Sequence, residues 1–316
     1  MSLSSDESIA PIETIQMDNA DSHIDLALLS VIVPVYNEKT AIRSTIEELK
    51  SACPEVEIVL IDDGSDDGTA DEISTIDDIT IVTHDRNRGY GAALKSGMRR
   101  ATRKYIAWYD GDGQHRPEDL IAVATPVIAG SHDTIIGART GGSAQKLDRV
   151  VGKTVLTRVA EFLTGQRIPD LNSGLRCFPF DLIRRYVHLL PDGFSASTTS
   201  TLCLIERGHR VGFQPITTRV RTGTSKIRIV ADGLATARLI FRLVVLFNAL
   251  KVFAMLGAGL IIPGLIYGTS IAIQRGEGFP TLAGIAIIAG LLTMFIGVVA
   301  DQVTELRKER FEEPWD

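Results

Sequence analysis

Leu29-Ser30-Val31-Ile32-Val33-Pro34-Val35-Tyr36 is an apolar, β-rich run, and behind it Ile42, Ile46 and Leu49 recur at the i, i+4, i+7 spacing of a helix with one buried face. The same alternation then repeats, with strands expected at Val56–Asp62, Ile79–His84, Tyr105–Asp110 and Thr134–Arg139. Strands separated by helical segments predict an α/β fold, a mostly parallel sheet with helices on both faces. From about residue 146 the pattern turns more helical (Lys146–Leu163, Phe180–Leu190, Ser197–Arg207), with one more strand near Val211–Ile216.

The polar and glycine-rich clusters all follow strands. They are Tyr36-Asn37-Glu38, Asp62-Asp63-Gly64-Ser65, Asn87-Arg88-Gly89-Tyr90-Gly91 and Asp110-Gly111-Asp112-Gly113-Gln114-His115. In a parallel sheet the strand C-termini share one edge, where open α/β sheets bind ligands. The four clusters are therefore expected to line one cleft.

The formal net charge of −6 is uneven. Six of the 39 acids (Asp6, Glu7, Glu13, Asp18, Asp21, Asp25) fall in residues 1–30, leaving 33 against 33 Lys and Arg. Residues 1–27 read as an acidic flexible tail on a neutral body, which gives no sign of a nucleic-acid partner. That start has neither a basic n-region nor an apolar h-region, so neither a secretory signal nor a first membrane span is expected there. Cys53, Cys177 and Cys203 are odd in number and far apart, and read as core thiols, not as a disulfide or zinc framework.

The last third changes character. Val252–Ile273 and Phe279–Ala300 are each 22 residues without a charge, and a hydrocarbon core takes about 20 helical residues to cross. Only Gln274–Gly278 separates them, so a transmembrane hairpin is expected, with spans at 252–274 and 279–300 and a tail at 301–316. Arg238, Arg242 and Lys251 precede the first span and Arg307, Lys308 and Arg310 follow the second, with only Arg275 in the turn. That bias places both ends, and the domain at 28–226, on the cytoplasmic face of a cell membrane. Residues 227–251 mix apolar and basic positions; an ordinary helix packed on the domain is one reading, and beside two spans an amphipathic interfacial helix is the preferred one. Gly257, Gly259, Gly264 and Gly268 permit close helix packing and hence a homo-oligomer.

Asp110 and Asp112 sit at a strand end with little side-chain bulk between them. Such oxygens suit Mg²⁺ or Mn²⁺, which in phosphate enzymes use one or two carboxylates plus substrate oxygens, and Gln114 can add another. A lone D-x-D is more often a polar turn capping a helix; its place after the fourth strand reverses that preference. The run Asp62 to Thr69 offers carboxylates to a base or ribose, with a solvated turn as the plain alternative; it lacks the twelve-residue frame of a calcium loop. Asn87 to Gly91 fits neither the P-loop nor the dinucleotide fingerprint and reads as a turn. Arg139, Arg221 and Lys226 can bind phosphates; singly, each is more often a surface ion pair, but their convergence on the D-x-D favours a ligand.

These residues resemble the family 2 glycosyltransferases of GT-A (Rossmann-like) fold, in the polyprenyl-phosphate branch that includes dolichol-phosphate mannosyltransferase. The matching motifs are Val33 to Glu38, Asp62 to Ser65 with Asp67-Gly68-Thr69, Asp110 to His115, Gly137-Ala138-Arg139, Asp170 to Arg176 and Ser225-Lys226. The resemblance implies that Pro34, Tyr36, Glu38, Asp62 and Asp63 hold the donor nucleoside, that Asp110, Asp112 and Gln114 hold the metal, and that Arg221 and Lys226 hold the donor diphosphate. It assigns Arg139 and Arg149 to the acceptor phosphate. Asp110 and Asp112 are the expected catalytic pair.

The expected activity is inverting transfer of a hexose from a UDP- or GDP-sugar to a polyprenyl or dolichyl phosphate at the membrane. A phosphate acceptor needs no general base, because its second pKa is about 6. The Gln-x-x-Arg-Trp motif of processive synthases is missing, since the tryptophans are Trp108 and Trp315. The rival readings are a transferase acting on a glycan or lipid hydroxyl and a noncatalytic, nucleotide-sugar-binding membrane adaptor.

Overall fold

The computed structural model describes residues 24–139, 157–161, 164–219, 229–276 and 278–309, with side chains outside 229–248 and 307–309. The chain divides into two compact units, Met1–Asp232 and Gly233–Asp316. Among its described residues the first unit carries seven strands: β1 Leu29–Val35, β2 Glu57–Asp62, β3 Thr80–Thr83, β4 Tyr105–Trp108, β5 Thr134–Arg139, β6 Arg176–Pro179 and β7 Val211–Ile216. Its helices are α1 Ile42–Ala52, α2 Thr69–Ser74, α3 Tyr90–Met98, α4 Pro117–Ile128, α5 Phe180–Tyr186 and α6 Ala196–Glu206.

The sheet runs β3-β2-β1-β4-β6-β5-β7. All pairings are parallel except those of β6, which lies antiparallel between β4 and β5. The α/β expectation holds, and all six expected strands are found to within two residues at each end, with Thr134–Arg139 and Val211–Ile216 matched at both. Strand β6 was not expected. Its four residues are too few to show a period and end in Pro179, and only its neighbours on both sides make it a strand.

Side chains alternate across the pleat and build a core on each face. Val31, Val33 and Val35 join Leu60 and Ala107 against Ile42, Ile46 and Leu49 of α1 and Leu120 and Val123 of α4. Ile32 joins Ile61 and Trp108 on the other face, against Leu94 and Met98 of α3 and Leu204 of α6. Burial on both faces is why β1 reads as a continuous apolar run. Helix α3 lies so close that a Cβ on Gly97 would come within 2.4 Å of Ile32. The three cysteines are buried, as expected of core thiols.

Pro34 opens the ligand edge. Its carbonyl faces β4, where Gly111 N reaches it at a long 3.4 Å, so its missing N–H falls on the same side. The β1–β4 register stops at Ile32↔Trp108, and the chain from Tyr109 onward leaves the sheet. β4 is therefore shorter than the expected Tyr105–Asp110, and Asp110 stands in a loop above the sheet edge.

The second unit is a helical hairpin. Helix α7, Ile229–Arg275, begins within the first unit, and α8 spans Thr281–Glu309. The expected division at 251 between an interfacial helix and a span is not a break in the helix: Asn248-Ala249-Leu250-Lys251 holds neither Gly nor Pro, so nothing ends it there. Ala249–Arg275 and Thr281–Leu306 are long and apolar enough to cross a membrane. Ile262, Ile266, Leu292 and Phe295 are each more than half exposed, which water would penalise and lipid would not. Three of the four glycines flagged for self-association pack inside the hairpin. A Cβ on Gly257 would meet Gly290 O at 2.7 Å, one on Gly264 would meet Ala286 at 3.2 Å, and one on Gly268 would meet Phe279 at 2.1 Å. Only Gly259 has open space around it.

Candidate active site

The four strand-end clusters are bonded to one another. Asn37, in a left-handed backbone conformation (φ 55°), donates its N–H to Ser65 Oγ at 3.0 Å and its side-chain amide to Asp66 at 2.7 Å. Glu38 N donates to Thr69 Oγ1 and Lys39 N to Asp67, so the loop after β1 is tied to the loop after β2. Tyr36 remains exposed there, and Glu38 is buried.

Asp62 and Asp63 turn inward. Asp62 accepts from Ser65 N and Ser65 Oγ. Asp63 accepts from Arg88 N at 2.9 Å and Gly89 N at 2.8 Å, and lies 2.6 Å from His84 Nδ1, whose Nε2 meets Ser96 Oγ at 2.8 Å. With about four acceptor positions on a carboxylate, these contacts among the described residues occupy three of Asp63's. Its visible work is to fasten the Asn87 to Gly91 loop.

Asp110 is held by two side chains and by the backbone of Gly174. Tyr90 donates its hydroxyl to Asp110 Oδ1 at 2.9 Å, and His115 Nε2 stands 3.6 Å from Oδ2. The Gly174 backbone presses on the same group: a Cβ there would lie 2.0 Å from Oδ2. Burial alone would raise its pKa, but His115, the Tyr90 hydroxyl and the charge of Arg139 outweigh it and hold the carboxyl below its usual range. Burial, then the charge of Asp110, push the Tyr90 phenol well above its ordinary value, so it stays a donor. Asp112 Oδ1 accepts from Gln114 N at 3.2 Å, and Gln114 O accepts from Arg219 N at 2.9 Å.

Arg139, at the end of β5, is forked onto Asp170: Nε donates to Oδ2 at 2.6 Å and Nη2 to Oδ1 at 3.0 Å. The Asp170 side chain is 1% exposed and that of Arg139 30%. The hydrogen bonds and charge of Asp170, and the charges of Asp110 and Asp112, raise the Arg139 pKa despite burial, so it is a permanent cation near both acids. Arg176 is fully buried behind them, over the Trp108 ring and bonded to Ser197 O, Ser200 Oγ and Thr201 Oγ1. Burial lowers its pKa to about 10, so it too is charged at neutral pH.

Asp110, Asp112, Gln114 and Arg139 thus converge on one edge, as expected. Arg149, Arg221 and Lys226 lie outside the described residues. Tyr90, His115, Asp170 and Gly174 carry no signal of their own as site residues in the sequence: Tyr90 reads as part of a turn, and the others stand in motifs without a distinct role. Among the described residues no three His, Cys, Asp or Glu side chains form a metal cage. Two carboxylates with substrate oxygens are the usual Mg²⁺ arrangement in phosphate enzymes, so Asp110, Asp112 and Gln114 fit a divalent ion shared with a diphosphate.

Comparison with known proteins agrees with this geometry. Residues 30–189 match the family model described as glycosyl transferase family 2, and residues 249–306 match that of the GtrB C-terminal hairpin. The polyprenol monophosphomannose synthase of Mycolicibacterium smegmatis is 32% identical over 212 residues, covering 62% of this chain and 80% of that protein. The dolichyl-phosphate hexose transferase of Haloferax volcanii is 26% identical over 216 residues, covering 68% and 92%. Among solved structures, glucosyl-3-phosphoglycerate synthase from Mycobacterium tuberculosis, in complex with Mn²⁺, UDP and phosphoglyceric acid, superposes with a TM-score of 0.60 at 18% identity, covering 74% of this chain and 85% of that one. The α/β sheet, the bonded strand-end loops and the matched family model together show that this chain belongs to glycosyl transferase family 2.

Proposed function

We propose that this enzyme transfers a hexose from a UDP- or GDP-sugar to the phosphate of a polyprenyl or dolichyl phosphate at the cytoplasmic face of a membrane. The observation that carries the reading is Arg139, a permanent cation forked onto buried Asp170 and close enough to Asp110 and Asp112 to feel their charge. A guanidinium fixed by one carboxylate still presents N–H groups to a second anion, and an acceptor phosphate is such an anion. Asp170 is engaged by Arg139 and is not set up as a base. A phosphate acceptor needs none, because it arrives ionised.

In this reading Pro34, Tyr36, Glu38, Asp62 and Asp63 form the nucleoside side of the cleft, Arg221 and Lys226 take the donor diphosphate, and Arg149 assists Arg139. Asp110, Asp112 and Gln114 hold Mg²⁺ or Mn²⁺, which when bound neutralises the diphosphate as it leaves the sugar. Tyr90 and Gly174 fix the direction of the Asp110 carboxylate, so its charge is in place before the donor arrives. Two membrane spans suit an enzyme with a lipid acceptor, and the Lys and Arg bias around them supports the cytoplasmic side. The activities by which the two enzymes named above are known support the acceptor class.

The test is sugar transfer in membranes carrying the protein, with Mn²⁺ or Mg²⁺, a panel of UDP- and GDP-sugars, and polyprenyl phosphate or the unphosphorylated alcohol. Lipid-linked sugar formed only with the phosphate is the expected result, and Asp112→Ala should abolish it while remaining folded and membrane-bound. Transfer to the alcohol or to a glycan alone would replace this reading with the hydroxyl-acceptor one.

A further inference from the structure

Phe194 is 85% exposed, an unusual position for a large apolar ring. Its ring stacks on that of Tyr90 with centroids 5.6 Å apart and planes within 15°, and the Tyr90 hydroxyl is the group bonded to Asp110. The loop that carries it is fixed. Ala92 N donates to Asp192 O at 3.0 Å, Lys95 Nζ pairs with Asp192 Oδ1 at 2.8 Å, and Gly91 lies so close that a Cβ would come within 2.0 Å of Pro191 O. The ring is therefore presented by a pinned loop, with one face on Tyr90 and the rest open.

Resting on the function read above, we propose that Phe194, backed by Tyr90, is the platform against which the hexose ring of the donor packs. The diphosphate belongs at Asp110 and Asp112 and the acceptor phosphate at Arg139, so the group between them, beside the Tyr90–Asp110 contact, is the sugar. A hexose offers a face of C–H bonds bearing partial positive charge, which matches the negative face of an aromatic ring, while its hydroxyls point to the edges. An isoprenoid chain asks only for apolar area, which any aliphatic side chain supplies. With one face on Tyr90, the Phe194 ring leaves its other face for the C–H face of a pyranose chair.

The experiment uses the full chain in lipid nanodiscs and measures binding of UDP, GDP, UDP-glucose and GDP-mannose, each with Mn²⁺, by calorimetry. For whichever sugar nucleotide the parent protein binds, Phe194→Ala should weaken it about tenfold, or about 1.4 kcal/mol, and leave the bare nucleoside diphosphate unchanged. Phe194→Tyr should restore it. Equal affinities for the sugar nucleotide in parent and Phe194→Ala overturn the platform, as does a loss shared by the bare diphosphate. In turnover, the donor KM should rise while the KM values for short and long prenyl phosphates stay fixed; the reverse would make the isoprenoid the occupant and overturn the proposal. A parent protein that binds none of the four probes removes the function reading and the platform with it, whereas a binding parent with an unaffected variant removes the platform alone.

Discussion

Gly174 lies against Asp110 so closely that a Cβ built on it would sit 2.0 Å from one carboxylate oxygen and 2.4 Å from the other. The two residues are 64 positions apart, and β6 brings them together by entering the sheet antiparallel beside β4. Gly174→Ala must push the carboxylate away from the Tyr90 hydroxyl. Misplacing a reacting group by about 1 Å costs on the order of 100-fold in rate. Steady-state turnover should fall by that order with the secondary structure intact by circular dichroism; near-parental turnover would show that the direction of Asp110 does not matter.

The Arg139–Asp170 fork predicts a split between substrates. Arg139→Lys keeps the charge but loses the planar two-point contact, and Asp170→Asn leaves the guanidinium less firmly aimed. Each should raise the acceptor-phosphate KM about tenfold, in line with about 1.4 kcal/mol for one charge-assisted hydrogen bond, and leave the donor KM near the parental value. Kinetics with each substrate varied in turn would decide it, and a change confined to the donor would exclude the acceptor role.

Glu57 links the starts of β1 and β4. It accepts from the Ser30 hydroxyl, Thr102 N and Thr102 Oγ1. Burial favours its neutral form, yet these hydrogen bonds and the charge of Arg103 outweigh that and lower its pKa. A lowered carboxyl contributes stability that is complete above its unfolded value of about 4.3 and is lost as pH falls through the folded value. Glu57→Gln should therefore cost about 1 kcal/mol at pH 7, and the deficit should shrink below about pH 4. Thermal unfolding of both proteins at the two pH values tests the sign; a deficit that grows with acid would contradict it.

In the hairpin, Gly257 and Gly290 meet backbone to backbone, each Cβ position 2.7 Å from the other's carbonyl oxygen, whereas Gly259 faces open space. Gly257→Leu should lower the melting temperature in detergent by several degrees, the order expected for about 1 to 2 kcal/mol, while Gly259→Leu should leave it unchanged. Equal effects at both positions would mean that the two helices do not pack through this contact.

Hydrophobic period alone was enough for the α/β class, the strand-end loops and the two apolar helices, because each is written over neighbouring residues. Arg139 was legible as a cation at a strand end. Its partner was not, since Asp170 reaches it from 31 positions away. The change of composition at Lys251 falls inside one continuous helix, because composition alone is not a helix breaker.

What only the tertiary structure decided is the order of the sheet and everything that depends on it. Strand β6 is four residues long and has no period to read, yet its insertion between β4 and β5 sets Asp170 against Arg139 and Gly174 against Asp110. Tyr90 looked like part of a turn until α3 aimed its hydroxyl at a carboxylate 20 residues on. Local sequence fixes backbone preference and which face of an element is apolar; the partner of a side chain is fixed by which elements become neighbours, and that is a property of the whole packed chain.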